Sequence, residues 1–325
     1  MTEIPRRTLL TALALGLTAG GVCGNLTYRG PQRALTIAAG EPGGLYLAFA
    51  ELLATEIGIA EPRLRVTAIP TKGSLDNLQR LGAGEVDLAL VLTDAAEAAV
   101  GTGADPERLA PMPIQAIGRV YENYLQLVVL AASPIRTLAD LAGRTVSLGA
   151  DGSGAGLTGD RLLAAAGLTP AALPAAVIVQ HHPLSDAIIA LEAGRIDALL
   201  WSGGVPTPAL AELSARRGIR LLPLATALTA LQSAHGPVYQ LVTVPADAYG
   251  PAPEITTVGV ANLLICRPGT DPAVTTTARV LVTHAARLVP QQVLGTQFLD
   301  PRSLITTAGI PLHPDAIAAY RALHR

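Results

Sequence analysis

A glycine-rich corner follows the first apolar run of the chain, and its residue types could bind an anion. The sequence LTIAAGEPGGLYLAFAELLATEI (35–57) reads as a strand, the corner Gly40–Gly44 and then a helix. The corner does not fit the dinucleotide-binding pattern G-x-G-x-x-G, because Pro42 stands at the second glycine, and it lacks the Gly-Lys-Ser/Thr ending of a phosphate loop. Backbone N–H groups at a helix start would suit a smaller anion. A turn that needs glycine for backbone reasons alone is the alternative.

Two further strand ends carry polar side chains. In PTKGSLDNL, Lys72, Ser74 and Asn77 lie at the start of a predicted helix, where a hydroxyl and an amide could face a ligand. In VLTDAAEAA, Thr93 and Asp94 close the third predicted strand. Helix capping is an equally natural role for Ser74 and Asp94, since serine and aspartate are preferred N-cap residues. These patterns leave binding and capping open.

A second glycine-rich corner, LGADGSGAG, contains Ser153 and invites comparison with hydrolases. A nucleophile elbow requires G-x-S-x-G, but Asp151 and Ala155 occupy the two glycine positions. No histidine can be assigned as the base of Ser153 from spacing. Because no residue set supplies a nucleophile with its base, the sequence predicts a protein that is not an enzyme. An exported serine hydrolase that uses Ser153 is the alternative from a different class.

The pair His181 and His182 could ligate a metal. Adjacent residues of a strand point to opposite faces, and no third ligand lies near them at metal-site spacing. We therefore expect neither a metal nor a cofactor. Of the two cysteines, Cys266 lies in an apolar strand pattern and is expected to be a buried, inert thiol. Trp201 ends another predicted strand, where core packing and a place in a cleft wall both fit.

Short apolar runs alternate with amphipathic helical patterns along the chain, which predicts parallel sheets covered by helices on both faces. A strand, a glycine-rich corner and a helix start occur in LTIAAGEPGGLY and again in TVSLGADGSGAG. Two similar α/β domains would produce this internal repeat, with the carboxyl ends of their strands facing a shared cleft. We place a leader at 1–30, one domain at 34–122 with 258–325, and the other at 123–257. The strand candidates are LTIAAG, LRVTAIP, VDLALVL, QLVVLA, TVSLGA, AVIVQ, IDALLW, RLLPL and TVGVANLLIC.

Composition excludes one class of partner. The chain has 325 residues, 50% of them hydrophobic, with a formal net charge of −2 and only 3% aromatic residues. It therefore has neither the basic footprint nor the stacking platforms of a nucleic-acid-binding protein. Lys72 is the only lysine, which by itself indicates no more than a compositional preference for arginine.

The first residues are typical of a targeting segment. Arg6 and Arg7 precede the apolar stretch TLLTALALGLTAGGV and then Cys23. The stretch is shorter than the roughly 20 residues of a membrane span, so we expect a signal peptide and an extracytoplasmic protein. Cys23 is the candidate lipidation site of a lipoprotein-type leader. An uncleaved anchor and cleavage just before Tyr28 are the alternatives.

These motifs, in their order and spacing, resemble the TAXI group of solute-binding proteins, the extracytoplasmic receptors of one class of TRAP transporters. The resemblance runs from about Leu35 to the end, through GGLY, TKGSLDNLQRLGAGEVDLALVLTD, IGRVYENYLQLVV, IRTLADLAGRTVSLGADGSG, LEAGRIDALLWSGGVP and LHPDAIAAYR. It implies a two-domain, periplasmic-binding-protein-like α/β fold of type II with a ligand cleft between the domains. The implied partners are a small carboxylate, such as glutamate, glutamine or a dicarboxylate, and a TRAP-type membrane permease. A ligand-binding partner of a sensor kinase is the alternative among binding proteins.

The resemblance also implies a set of ligand-binding residues. Ala39, where the family often has threonine, and Glu41 depart from its pattern and bear on ligand identity. Backbone N–H groups and hydroxyls suit a carboxylate, whereas a ligand ammonium needs acceptors, which Asp94 or Glu41 would supply. With a plain dicarboxylate, both acids would point away or pair with Arg119. The implied residues are Gly43, Gly44, Tyr46, Thr71, Ser74, Asn77, Thr93, Asp94, Arg119, Tyr121 and Ser153.

Overall fold

The computed structural model describes residues 32–101, 111–169, 176–290, 293–294 and 297–323. The predicted leader with Cys23 lies outside the described residues. Ten strands form within the described part of the chain. They are β1 (Arg33–Ala38), β2 (Leu64–Ile69), β3 (Leu88–Leu92), β4 (Gln115–Leu130), β5 (Thr145–Ser147), β6 (Ile178–Gln180), β7 (Ala198–Gly203), β8 (Ile219–Leu222), β9 (Tyr239–Val244) and β10 (Ile255–Cys266).

Helices cover the faces of the sheet. They are α1 (Leu45–Ala60), α2 (Ser74–Ala83), α3 (Thr93–Ala99), α4 (Gly154–Ala165), α5 (Leu184–Glu192), α6 (Pro208–Arg217), α7 (Leu228–His235), α8 (Pro272–Thr283) and α9 (Pro314–Leu323). In α1, the buried residues Tyr46, Phe49, Leu53 and Ile57 recur every three or four positions and so form one face. Within the described ranges, every helix is too short or too polar to cross a lipid bilayer.

The ten strands form one mixed sheet. Its order is β2-β1-β3-β10-β4-β7-β5-β6, with β8 beside β4 and β9 beside β10. The pairs β1–β2, β1–β3, β5–β6 and β5–β7 are parallel. The pairs that involve β4 or β10 are antiparallel, so the expectation of parallel sheets throughout is wrong. The difference arises because these two strands are long and do not belong to strand–helix–strand units.

The long strands divide the molecule into two lobes. We call β1–β3 with α1–α3, α8 and α9 the first lobe, and β5–β9 with α4–α7 the second lobe. β4 pairs with β10 between Gln115 and Tyr124, and with β7 and β8 between Tyr124 and Leu130. The predicted two-lobed α/β architecture is confirmed. The residue boundaries of its domains stay a prediction.

The hydrophobic core is continuous between the lobes on one side of the sheet. Leu92 of β3 and Leu127 of β4 belong to the same buried cluster as Leu148 and Leu200 of the second lobe. A separate cluster packs α1 and α8 of the first lobe against the other side of β1 and β3. The strand ends that face the cleft are therefore held by packed helices on both sides.

Candidate ligand-binding cleft

Three helices begin at one place between the lobes. α1, α2 and α4 follow the carboxyl ends of β1, β2 and β5, and their first residues, Leu45, Ser74 and Gly154, line one cavity. The first amides of a helix have no partner within it, and each helix N-terminus carries about half a positive charge. The three ends together favour an anionic group in the cavity.

The starts of α2 and α4 touch across the cleft. A Cβ atom on Gly154 would lie 2.5 Å from the Oγ of Ser74 and 2.7 Å from the Cδ1 of Leu92. A Cβ on Gly73, where φ is +116°, would lie 3.5 Å from the Cα of Ser153. Glycine is required at Gly154 because a side chain would occupy the space of the opposite lobe, and at Gly73 because side chains rarely adopt a positive φ. These glycines therefore allow the lobes to meet around the cavity.

The cavity that these ends enclose is small. Its volume is about 50 Å³, and a single buried water needs about 10–15 Å³, so it has room for a few waters or one compact polar group. Of the predicted ligand-binding residues, four line it: Gly44, Tyr46, Ser74 and Ser153.

Tyr46 and Ser74 supply hydroxyl groups to the cavity from α1 and α2. The Tyr46 hydroxyl donates to the Oδ1 of Asn262 at 2.5 Å and lies 3.5 Å from the Ser74 Oγ. The Ser74 Oγ accepts the amide of Leu92 at 3.0 Å. Burial raises the pKa of Tyr46 well above its ordinary value, so the phenol stays protonated and remains a donor. Ser74 is the first helical residue, after Gly73 at the N-cap, so it is not the cap of α2.

Asn123 and Ser202 line the cavity from β4 and β7, and the sequence analysis did not identify them. The Nδ2 of Asn123 lies 3.4 Å from both the carbonyl oxygen and the Oγ of Ser202, and its Oδ1 accepts from Asn262 at 3.1 Å. The signal that could have found Asn123 is a polar residue inside the apolar strand pattern of IGRVYENYLQLVV.

Trp201 forms an apolar wall of the same cavity. Its ring lies 3.5 Å from the position of a Cβ on Gly44, and its Nε1 donates to the Oγ1 of Thr207 at 3.0 Å. Only 7% of the residue is exposed. Trp201 thus belongs both to the core of the second lobe and to the cleft wall, the two roles that the sequence left open.

Glu41 lines the cavity and also links the lobes. Its Oε2 accepts the amide of Leu184, the first residue of α5, at 2.8 Å. Burial raises the pKa of Glu41, and the hydrogen bond from Leu184 opposes this shift. The carboxylate therefore occupies the N-terminus of α5, a favourable place for a negative charge.

Ser153 is the N-cap of α4. Its Oγ accepts the amide of Gly156 at 3.0 Å, while the residue lines the cavity. Among the described residues, no hydrogen bond joins this hydroxyl to a histidine, lysine or carboxylate. The hydroxyl proton can still be donated to a ligand, so capping and ligand binding are compatible in Ser153.

Thr71 and Asn77 are brought together outside the cavity. The Nδ2 of Asn77 donates to the carbonyl oxygens of Ala39 at 2.6 Å and Leu90 at 2.7 Å, and its Oδ1 accepts from Thr71 at 2.6 Å. Asn77 is fully buried. Its amide therefore fastens α2 to β1 and β3, a use that the strand-end pattern does not distinguish from ligand binding.

Gly43, Thr93, Arg119 and Tyr121 also lie outside this cavity. Gly43 has a φ of +80° in the turn before α1, and the Oγ1 of Thr93 donates to the carbonyl oxygen of Ala261 at 2.8 Å. The Nη2 of Arg119 lies 3.6 Å from the Oε2 of Glu122. Tyr121 packs in the core, with its ring centroid 5.0 Å from that of Phe49.

Asp94 is sealed inside the protein with 0% exposure. Its Oδ2 accepts from the hydroxyls of Thr158 at 2.7 Å and Tyr239 at 2.9 Å, and the Nη1 of Arg161 lies 3.8 Å away. We call Asp94, Thr158, Arg161 and Tyr239 the Asp94 cluster. Because protein donors already surround this carboxylate, the structure does not bring Asp94 to the cavity as an acceptor for a ligand ammonium.

The remaining sequence candidates make no metal centre. Within the described ranges, no group of three or more His, Cys, Asp or Glu residues is arranged to hold a metal ion. The Nε2 of His182 lies 2.9 Å from the Oε1 of Gln180. Cys266 is buried, and burial raises the pKa of its thiol to about 12, which keeps it protonated and inert.

Solved structures of proteins that bind small solutes resemble this chain. The protein Tv2483 bound to L-arginine has 15% sequence identity and a TM-score of 0.51, with 83% of this chain and 93% of that chain covered. The alkanesulfonate-binding protein SsuA from Xanthomonas axonopodis pv. citri, bound to MOPS, has 19% identity and a TM-score of 0.44, with 82% and 97% covered. The arginine-bound form of truncated ArgBP from T. maritima has 12% identity and a TM-score of 0.46, with 76% and 94% covered. The likeness to Tv2483 shows the fold.

The sequence itself matches the NMT1-like family over residues 37–322. The match includes both lobes, every strand except the first part of β1, and the three helix starts around the cavity.

Proposed function

The chain belongs to the NMT1-like family, and on that premise we propose that it is an extracytoplasmic solute-binding receptor for a small carboxylate. The observation that carries the proposal is the meeting of three helix N-termini at one cavity between the lobes. A receptor must bind and release its ligand, and neutral N–H and O–H donors hold an anion without burying an ion pair.

The donors suit a carboxylate better than a cation. The hydroxyls of Tyr46, Ser74 and Ser153 and the amide of Asn123 line the cavity. The hydroxyls of Ser74 and Ser153 can donate to two carboxylate oxygens, in addition to the helix amides, while the Tyr46 hydroxyl donates to Asn262. Glu41 is the carboxylate of the cavity wall, and it already accepts the amide of Leu184.

Ligand binding would close the lobes on each other. The proposed domains are 34–122 with 258–325 and 123–257, joined by the long strands β4 and β10. Closure requires contacts that only the closed form makes, and residues from both domains line the cavity, such as Ser74 and Ser153. Small-angle scattering should therefore give a smaller radius of gyration with ligand than without it.

The partner is proposed to be the membrane permease of a TRAP-type transporter, in line with the TAXI resemblance of the sequence motifs. Arg6 and Arg7 before an apolar stretch support export, and Cys23 is the candidate for lipid attachment. A sensor kinase is the alternative partner. Co-purification of the full chain with the permease encoded beside its gene tests this assignment, and a sensor kinase in that position would replace it.

Thermal unfolding with a panel of small acids tests the carboxylate. A ligand present at 100 times its Kd stabilises the folded state by about 2.7 kcal/mol. We expect at least one amino acid or dicarboxylate to raise the Tm, with no ester hydrolysis in a parallel assay. Hydrolysis that disappears in Ser153→Ala would instead support the exported hydrolase, and a panel in which only cations or neutral solutes raise the Tm would contradict the carboxylate.

A further inference from the structure

A second, larger chamber adjoins the cavity. Its volume is about 400 Å³, against about 50 Å³ for the cavity. Polar residues of both lobes line it, among them Asp76, Asp151 and His181. Lys72 and Ser153 line both spaces. We call this space the outer chamber, and Lys72 stands where it meets the cavity.

Lys72 is exceptional in this chain. The sequence contains 23 lysines and arginines together, of which Lys72 is the only lysine and the other 22 are arginines. An ammonium is a compact charge on a flexible stem, whereas a guanidinium is a rigid planar fork. A chain that otherwise uses arginine has its one lysine at the mouth of the cavity.

The side chain of Lys72 reaches across the cleft. Lys72 precedes α2 of the first lobe, and its Cδ lies 3.9 Å from the position of a Cβ on Gly152 of the second lobe. In the same place, the amide of Asp76 donates to the carbonyl oxygen of Gly152 at 3.0 Å. The stem of Lys72 therefore lies along the line where the lobes meet.

The charge of Lys72 is not neutralised within the described part of the chain. No carboxylate there lies within 4.0 Å of its ammonium. The nearby carboxylate of Asp76 accepts the backbone amide of Lys72 at 3.0 Å and the Nε of Arg80 at 2.9 Å, so both of its oxygens are engaged. Asp151, an exposed residue, is the other carboxylate of the outer chamber.

We infer that Lys72 binds a second acidic group of the ligand, which makes the ligand a diacid. The inference rests on the proposed function, because the first acidic group is the one held by the helix starts. The cavity has room for one compact group, so a longer ligand must extend past Lys72 into the outer chamber. Lys72 lines both spaces, and its ammonium supplies the positive charge that a second carboxylate needs.

Titration calorimetry with matched acids and amides tests this inference on the full chain. The probes are L-glutamate with L-glutamine, and glutarate with its monoamide glutaramate. Lys72→Met keeps the length of the side chain and removes its charge. Arg80→Met is the matched control, because Arg80 is a cation of α2, the helix that Lys72 precedes. Arg80 pairs with Asp76 and Glu85 and lines neither space.

We expect wild-type protein to prefer at least one diacid over its amide. Lys72→Met should weaken the binding of that diacid at least about tenfold, as for the loss of a charge-assisted contact, and leave the amide unchanged within about threefold. Arg80→Met should change neither.

Three results would overturn the inference. If Lys72→Met binds the preferred diacid as tightly as wild-type protein does, Lys72 is not its partner and the proposed carboxylate receptor stands. If wild-type protein prefers the amides, the inference that the ligand has a second acidic group is wrong. If none of the four probes binds, the diacid inference fails, and the thermal-unfolding panel of small acids decides whether the carboxylate receptor stands.

Discussion

Two polar regions join the lobes, and helix α4 contributes to both. Its first residue, Gly154, lines the cavity, and Thr158 and Arg161 of the same helix belong to the Asp94 cluster. Residues four and seven positions apart lie on one face of a helix. In the cavity, residues from several elements face a shared space, whereas in the cluster the hydroxyls of Thr158 and Tyr239 already donate to Asp94. The difference favours the start of the helix for the proposed ligand and its middle for contact between the lobes.

The comparison also explains why a carboxylate near the cleft need not be a ligand group. Asp94 and Arg161 are 0% and 3% exposed, and Arg161 donates to the Tyr239 hydroxyl at 3.1 Å. Burial, with the charge of Asp94 as a further cause, raises the pKa of Tyr239 well above its ordinary value. The phenol therefore stays a donor to Asp94.

Removing the carboxylate of the cluster should have the largest effect. In Asp94→Ala, the buried Arg161 and the hydroxyls of Thr158 and Tyr239 lose the carboxylate that they face, and breaking a buried pair in this way costs about 3–5 kcal/mol. Urea unfolding monitored by circular dichroism measures the loss. Asp151→Ala, at an exposed position, is the control and should stay within about 0.5 kcal/mol of wild-type protein. A loss of less than about 1 kcal/mol in Asp94→Ala would show that the cluster does not brace the lobes.

A methyl group at the start of α4 should instead damage binding. In Gly154→Ala, the Cβ would lie 2.5 Å from the Ser74 Oγ, so the lobes cannot approach to their present distance. We expect the affinity for whichever acid binds wild-type protein to fall at least about tenfold, or about 1.4 kcal/mol. Calorimetry measures the affinity, and scattering should show that the acid no longer compacts the protein.

Gly156→Ala is the matched control in the same turn of α4. Its Cβ would lie no closer than 3.5 Å to any neighbour, an ordinary contact distance. Equal affinities of the two alanine variants would mean that close contact between Gly154 and Ser74 is not needed for binding.

Most strands could be predicted from apolar runs, but not the elements that cross between lobes. β4 was expected only around QLVVLA, whereas it begins at Gln115 and includes Arg119 and Glu122. These charged residues interrupt the apolar pattern, because they lie where the strand passes between lobes. β9 was not predicted, since Gln240, Leu241 and Thr243 are exposed and the strand is neither a plain alternation nor an apolar run.

The site was predictable where its signal is local. Gly44, Ser74 and Ser153 stand at helix starts, which glycine and serine mark in the sequence, and all three line the cavity. Asn123 and Ser202 meet only when β4 pairs with β7, and a single sequence does not reveal that pairing. The sequence pattern correctly placed Asn77 and Asp94 after strand ends. It did not reveal their buried hydrogen-bond partners, because partners such as Leu90 and Tyr239 come from other elements.

The smallest effect concerns Glu97, which lies one turn after Asp94 on α3. Burial and then repulsion by Asp94 raise its pKa from 4.5 to about 7, against an opposing attraction by Arg161. The folded state thus binds this proton more tightly than the unfolded state between these two pKa values. Stability should fall as the pH rises through that window and level off above it. Since Glu97 is only half-buried, solvent screening keeps this contribution below about 1 kcal/mol.

Glu97→Gln should therefore flatten the decline of the unfolding free energy between about pH 5 and pH 8. The difference between variant and wild-type curves isolates this residue, because the half-buried Glu41 and the buried Glu122, whose pKa values are also raised, titrate in both proteins. Glu51→Gln, at an exposed position of α1, is the control and should leave the slope unchanged. Affinity for the acid should keep the same pH dependence in Glu97→Gln, because Glu97 does not line the cavity.

Parallel unfolding curves for wild-type protein and Glu97→Gln would remove Glu97 from the group of residues that sense the Asp94 charge. If the pH dependence of affinity changes in Glu97→Gln while the pH dependence of unfolding does not, the Asp94 cluster acts on ligand binding rather than on contact between the lobes.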